Sequence, residues 1–226
     1  MAAPGAKPRS EQTREALLSA GLEIFGRDGF HAASTRAISE AAGVNQALIA
    51  YHFGGKEGLY HGVIRSITDN IAQHMGPILD AMREQVAALD ATTPDGRAAC
   101  IACMDQIMGG AIELFGRPES KQWVKLVMRE QQDPTAAFDI FYDGIYSEMM
   151  NLYTELAGKL SGAPASSEAV RVRALTLMGQ VLVFVVGRGT VARLVGWESL
   201  GEHEREVLHQ TVRQSLLALF EHEEPR

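Results

Sequence analysis

The sequence predicts an all-α fold, and three observations point to it. Leu, Ala, Met, Glu, Gln and Arg, all good helix formers, are abundant. Strand-like alternation is nearly absent, and apolar residues recur at helical spacing between glycine and proline breaks. With 226 residues, 46% hydrophobic and 22% charged, the chain can bury a sizeable core, as one large domain or a small one joined to a larger.

Residues 1–9 carry charges and prolines without an apolar stretch, so they read as a disordered arm and not as a secretory leader. A first helix is expected from Ser10 to Arg27, with Leu17, Leu18, Ile24 and Phe25 on its inner side and Asp28-Gly29 as its stop. Phe30 then plugs the core. Ser34 caps a short second helix that turns Ile38, Ala41 and Ala42 inward and ends at Gly43. Asn45 caps a third helix, closed by Gly54-Gly55, of only about two turns. A fourth runs from Lys56 to His74, ahead of Gly76-Pro77.

A tight turn between two short helices, flanked by two longer ones, is a helix-turn-helix in a four-helix headpiece spanning residues 10–75. Projected at about 100° per residue, Leu48, Ile49 and Phe53 share one side of the third helix, with His52 nominally beside them. Gln46, Ala47, Ala50 and Tyr51 share the other. A solvated helix normally carries charges on its outer face. This one combines small residues, which allow close approach, with an amide and a phenol that hydrogen-bond. Such a face suits a DNA major groove, and Lys56 suits a phosphate.

The net charge of −7 runs against a nucleic-acid partner, but it is unevenly placed. Residues 1–75 carry seven Lys/Arg against seven Asp/Glu, so the remaining residues supply the whole deficit. DNA binding therefore depends on local charge placement.

These residues also carry a resemblance. The stretch from Leu17 to Ile64 resembles the DNA-binding domain of the TetR/AcrR transcriptional regulators. It does so through Phe25, Gly29-Phe30, Ser34, Ile38, Ala41-Ala42-Gly43-Val44, Tyr51, Phe53, Lys56-Glu57 and Leu59. The resemblance implies that Thr35 and Arg36 face phosphates, that Asn45, Gln46, Ala47, Tyr51 and His52 lie at the groove, and that Lys56 clamps the backbone. Many members have an aromatic where Ala50 stands and a lysine where Gln46 stands. Base preference therefore does not carry over, and affinity is expected to rest more on Tyr51, His52 and Lys56.

Residues 76–226 read as further helices: a piece over 77–89 kinked off the fourth, then 97–115, 119–131, 134–160, 167–194 and 202–222. Pro134 is expected as the first residue of its helix. "WVKLVMREQQDPTAAF" resembles the C-terminal domain of the CecR-like branch. The resemblance implies a small-molecule pocket among the middle helices, with Met104, Met108, Trp123, Met128, Phe138, Phe141 and Tyr142 as candidate lining. Arg129 and Glu130 pair with neighbours, face solvent or contact the ligand; the residues alone leave these open. Two late helices have broad apolar faces, part of which must be core. The resemblance places a homodimer there, through Leu175, Met178, Leu182, Val185, Val212, Leu216 and Phe220.

Cys100 and Cys103 form C-x-x-C inside a helical segment, and with no second pair they read as packed thiols. His203 and His209 are six apart, the wrong spacing for a helical metal pair. No phosphate loop or nucleophile elbow occurs, so neither a cofactor, a metal nor a catalytic group is expected. The longest apolar run, Val181 to Val186, is soon followed by Arg188 and reads as a core helix rather than a membrane span. The expectation is a cytoplasmic regulator, most simply a repressor that leaves a palindromic operator when a small apolar molecule binds. The rivals are a DNA-binding protein controlled by a partner or by thiol oxidation, and an all-helical enzyme or binding module.

Overall fold

A computed structural model describes residues 8–221, and every regular element among them is a helix. They are α1 (Arg9–Ala32), α2 (Thr35–Ala41), α3 (Ala47–Phe53), α4 (Lys56–Ala88), α5 (Pro94–Gly116) and α6 (Ser120–Gln132). After α7 (Ala136–Phe141) and a π-helical turn (Tyr142–Tyr146) come α8 (Ser147–Ser161), α9 (Glu168–Val186), α10 (Arg188–Val195) and α11 (Glu202–Glu221). Of the expected arm, residues 1–7 lie outside the described residues, while Arg9 already opens α1.

The chain forms two compact units, one of residues 1–70 with 121–142, the other of 71–120 with 143–226. These units divide the chain at 70/71, and residues 121–142 pack with the N-terminal helices. The reason is local. Glu130 of α6 is buried, and its carboxylate accepts a hydrogen bond from the Tyr60 hydroxyl of α4.

In the first unit Leu17, Ile24, Phe25, Ile38, Ile49, Leu59, Val63 and Ile64 make the core. The predicted stop at Asp28-Gly29 appears as a break inside α1. Gly29 lies at φ 80°, ψ 170°, and one further turn follows to Ala32. Phe30 is only half-buried, resting on Phe25 and Tyr60.

The second unit is built on α5, which carries ten buried residues including Cys100, Cys103, Met104, Ile107 and Met108. Thr93 caps it by accepting from the Gly96 amide at 3.1 Å.

Several helix boundaries differ from those expected. α4 runs through Gly76-Pro77 without ending. A proline costs a helix one backbone bond, and here Met75, Leu79, Met82 and Val86, all buried, hold the flanking turns. The long helix expected over 134–160 is instead divided by Gly144, whose φ −78°, ψ −140° is not helical. Pro134 precedes α7 rather than opening it. Thr135 is the cap, accepting from the Ala137 amide at 3.1 Å. The helix expected over 167–194 breaks at Gly187 into α9 and α10. His222, the expected end of the last helix, lies outside the described residues.

Candidate nucleic-acid interface

Local chemistry sets the α2–α3 pair. The Ser34 hydroxyl accepts from the Ala37 amide at 3.1 Å and starts α2. The Asn45 carbonyl oxygen accepts from the Ala47 amide at 2.8 Å at the start of α3, so this side chain is engaged in capping. Gly54, left-handed at φ 75°, ends α3, with its amide donating to the Ala50 carbonyl. Ile49 alone in α3 is fully buried; Leu48 and Phe53 are half-buried, contrary to the expected three-residue core side. The Arg14 guanidinium lies 5.4 Å from the centre of the Phe53 ring.

The outer face of α3 is open. Tyr51 is 78% exposed, with its ring edge-on to His52 at 4.9 Å. Ala47 and Ala50 are likewise exposed. Gln46 donates to the Thr35 hydroxyl at 2.8 Å, joining the first residue of α2 to the entry of α3. Arg36 pairs with Glu40 at 2.8 Å across exposed side chains, a contact of small energy that leaves the guanidinium available. Glu40 raises the Arg36 pKa further through its hydrogen bond. Lys56 donates to the His31 carbonyl at 3.1 Å and lies 4.8 Å from the Phe30 ring centre. An ammonium has three donors, so two remain.

The expected pocket lining divides between the two units. Met104 and Met108 are buried in α5 of the second unit. Trp123, Met128, Arg129, Phe138, Phe141 and Tyr142 belong to the first unit. Trp123 and Phe141 are buried, Met128 is half-buried, and Phe138 stacks on Tyr142 at 5.6 Å. Spacing along one helix cannot reveal which unit a segment packs into.

Arg129 is exposed and lies against Gly29, where a Cβ would meet its Nη1 at 1.9 Å. A groove of about 1010 Å³ does exist in the second unit, lined by Ile78, Gly109, Gly110, Glu113, Arg205 and His209 among others, none of them anticipated. Arg205 pairs with Glu113 at 2.9 Å, and His209 faces Asp105 at 3.0 Å. Tyr153 of α8 was also missed. It is fully buried, and its hydroxyl is the one buried side-chain oxygen or nitrogen among the described residues with no hydrogen-bond partner. A tyrosine on an apolar helix face reads as core until its hydroxyl is placed in three dimensions. Cys100 and Cys103 are free and buried, and burial pushes both thiols up.

The expected dimer residues separate into two sets. Val185, Val212, Leu216 and Phe220 are at most 3% exposed, so they are core of the single chain. Leu175 is 55% exposed, and Met178 and Leu182 are half-buried. An apolar helix here has a stripe for each neighbour, and sequence spacing cannot say which stripe is which. The open stripe of α9 also holds Val172, Val183 and Val186, each more than half exposed. By length and composition α5 and α9 are each apolar enough to cross a membrane, but they differ in burial. The most apolar window is 56% buried in α5 and only 28% in α9.

Comparison with known proteins agrees with this geometry. Residues 17–63 match the family described as "Bacterial regulatory proteins, tetR family". Residues 102–221 match the C-terminal domain of the HTH-type transcriptional dual regulator CecR. The chain is 30% identical over 209 residues to CecR of Shigella flexneri, covering 92% of each. Among solved structures, a TetR-like transcriptional regulator from Rhodococcus sp. RHA1 superposes with a TM-score of 0.60 at 17% identity, covering 96% of this chain and 100% of that one. FadR from Bacillus subtilis, solved with stearoyl-CoA, gives 0.56 at 15% identity, covering 90% and 97%. The chain belongs to the TetR family of helix-turn-helix transcriptional regulators, with a C-terminal domain of the CecR type. It is a DNA-binding regulator and not an enzyme.

Proposed function

We propose that this regulator acts in the cytoplasm as a homodimeric repressor that leaves a palindromic operator when a small apolar effector binds. The observation that carries the DNA half is the open face of α3: an exposed phenol flanked by two alanines, with Thr35, Arg36 and Lys56 around it. In this reading Gln46, Ala47, Tyr51 and His52 approach base edges, while Thr35, Arg36 and Lys56 take phosphates. Asn45 supports the approach through its cap. Residues 10–75 form the DNA-binding part, and 76–226 the effector-binding and dimerising part. The relative CecR is described as a dual regulator, so target genes decide whether binding silences or activates.

The dimer is supported by the open apolar stripe of α9 and by the groove of about 680 Å³ beside it, lined by Val172, Arg173, Leu177 and Leu219 among others. In this reading a second copy covers that stripe, and the dimer reads two half-sites one helical turn or a multiple apart. Support for the effector comes from the methionine-rich interior of the second unit and from the unsatisfied Tyr153 hydroxyl within it.

The test is capture of fragmented genomic DNA by purified protein at two salt concentrations, beside a Tyr51→Ala/Lys56→Ala double variant. The expected result is a few palindromic fragments enriched by wild type, fewer at high salt, and none by the variant. Equal, unselective capture by both proteins refutes the reading.

A further inference from the structure

One side chain at the open face of α3 is tied to its neighbour helix. Gln46 donates through its amide nitrogen to the Thr35 hydroxyl at 2.8 Å, across the turn between α2 and α3. Its backbone is held at φ −56°, ψ −32°, and its main-chain carbonyl accepts from the Ile49 amide at 3.1 Å. Asn45 supplies the cap of α3, so the Gln46 side chain is not used to start its own helix. Gln46 is exposed, as are Ala47, Ala50 and the Tyr51 ring.

A hydrogen bond between two exposed groups adds little to stability, because water serves either partner nearly as well. Its effect is on direction. A primary amide has two N–H donors and one carbonyl acceptor, whereas a hydroxyl has one donor and two lone pairs. With one N–H given to Thr35, Gln46 keeps one donor and its carbonyl oxygen, and neither has another partner among the described residues. Thr35 has accepted, so its own O–H is left to donate, as a phosphate contact requires.

We infer that Thr35 orients the Gln46 amide as a reader with one donor and one acceptor, and that this pair selects adenine against guanine in the operator. Adenine shows the major groove an N6–H donor beside the N7 acceptor, which uses both free groups of the amide. Guanine shows two acceptors, N7 and O6. One N–H cannot serve both, and the Gln46 carbonyl then faces an acceptor. Cytosine offers only its N4–H, and thymine only its O4, so each engages one group. Thr35 is a positioning residue for this choice, acting through Gln46 while it donates to the backbone.

This rests on the reading above that Gln46 approaches base edges in a major groove. The experiment uses full-length protein, a fragment recovered by genomic capture, and versions of that fragment with each base pair of the half-site replaced in turn. Fluorescence anisotropy at one salt concentration gives the affinities. Gln46→Ala identifies the base pair that the amide meets, as the position where preference flattens. Thr35→Val keeps the shape and removes the hydroxyl, and Thr35→Ser puts the hydroxyl back. Gln46→Glu keeps the shape and has acceptors alone. Ser34, not Thr35, caps α2, so these changes at exposed or half-buried positions spare the fold, which circular dichroism checks.

At the position so identified, wild type should bind adenine at least about tenfold more tightly than guanine. Thr35→Val should weaken every sequence by a common factor and also bring the adenine-to-guanine ratio within about threefold of unity. Thr35→Ser should restore the ratio, and Gln46→Glu should move the preference to cytosine. Another base preferred by wild type there, no position flattened by Gln46→Ala, or a wild-type ratio in Thr35→Val overturns the inference. So does a ratio that Thr35→Ser leaves lost. If wild type captures no fragment, the DNA reading fails and this inference with it. That failure is distinct because it appears before any residue is changed.

Discussion

At φ 80° and ψ 170°, Gly29 holds a conformation that side chains other than hydrogen rarely enter, and the space a Cβ would fill is already occupied by Arg129. Gly29→Ala should therefore destabilise the protein by roughly 1–3 kcal/mol. Urea denaturation measures this, and adding Arg129→Ala should restore only the steric part. Two tyrosines form a contrasting pair. Tyr60 donates to a buried carboxylate, whereas the Tyr153 hydroxyl has no partner.

Loss of a bond to a charged group costs about 1.5–3 kcal/mol, so Tyr60→Phe should lower stability by that order. Tyr153→Phe should leave it unchanged or raise it slightly. Burial raises the pKa of both hydroxyls above the ordinary 10.0, in Tyr60 with help from Glu130 and in Tyr153 from Asp105. Above pH 10 the unfolded phenols release protons that the folded ones keep, so stability falls as pH rises. Each Phe variant should remove one proton from that slope, as measured by urea unfolding between pH 9 and about 11.

At the scale of elements, α9 is the most informative helix. It has apolar residues all round, and the single chain covers only the stripe with Val170, Ala174, Leu177, Val181 and Val185. Leu175→Glu, on the open stripe, should leave monomer stability within about 0.5 kcal/mol of wild type. In sedimentation equilibrium the same variant should dimerise at least about tenfold more weakly, a charge buried in an apolar interface being unpaired. Unchanged association would place the interface elsewhere.

The same helix shows what was legible in advance. Its start at Ser167 follows from the cap, whose hydroxyl accepts from the Val170 amide at 3.4 Å. Which stripe Val185 belongs to was not legible, because periodicity identifies stripes without identifying their neighbours; it is 3% exposed in the single chain. The breaks at Gly144 and Gly187 were likewise hidden. Glycine permits such dihedrals without requiring them, and the surrounding packing decides.

For the whole molecule the governing fact is that an acidic chain carries a DNA-binding headpiece. Affinity must then come from a few cations placed at phosphates and should depend steeply on salt. On the proposed reading, in which Lys56 meets one phosphate in each half of a dimer, Lys56→Ala should reduce the slope of log K against log salt by about 2 and weaken all sequences alike. On the same reading, in which Tyr51 meets base edges, Tyr51→Ala should leave the slope nearly unchanged and relax base preference. Fluorescence anisotropy across a salt series separates the two.

By itself the sequence determined the helical class, the α2–α3 motif and its outward residues. Caps, glycine stops and apolar spacing act over a few residues, and each can be read where it stands. Ser34, Asn45, Gly54 and the open side of α3 fall where local chemistry directs. Only the tertiary structure decided that residues 121–142 join the headpiece, that Arg129 and Glu130 grip α1 and α4, and that the expected pocket residues divide between two units. Those outcomes depend on contacts between positions about seventy to a hundred apart, such as Tyr60 with Glu130 or Gly29 with Arg129. They arise when whole helices choose neighbours to bury area and satisfy a carboxylate, and no local pattern encodes that choice.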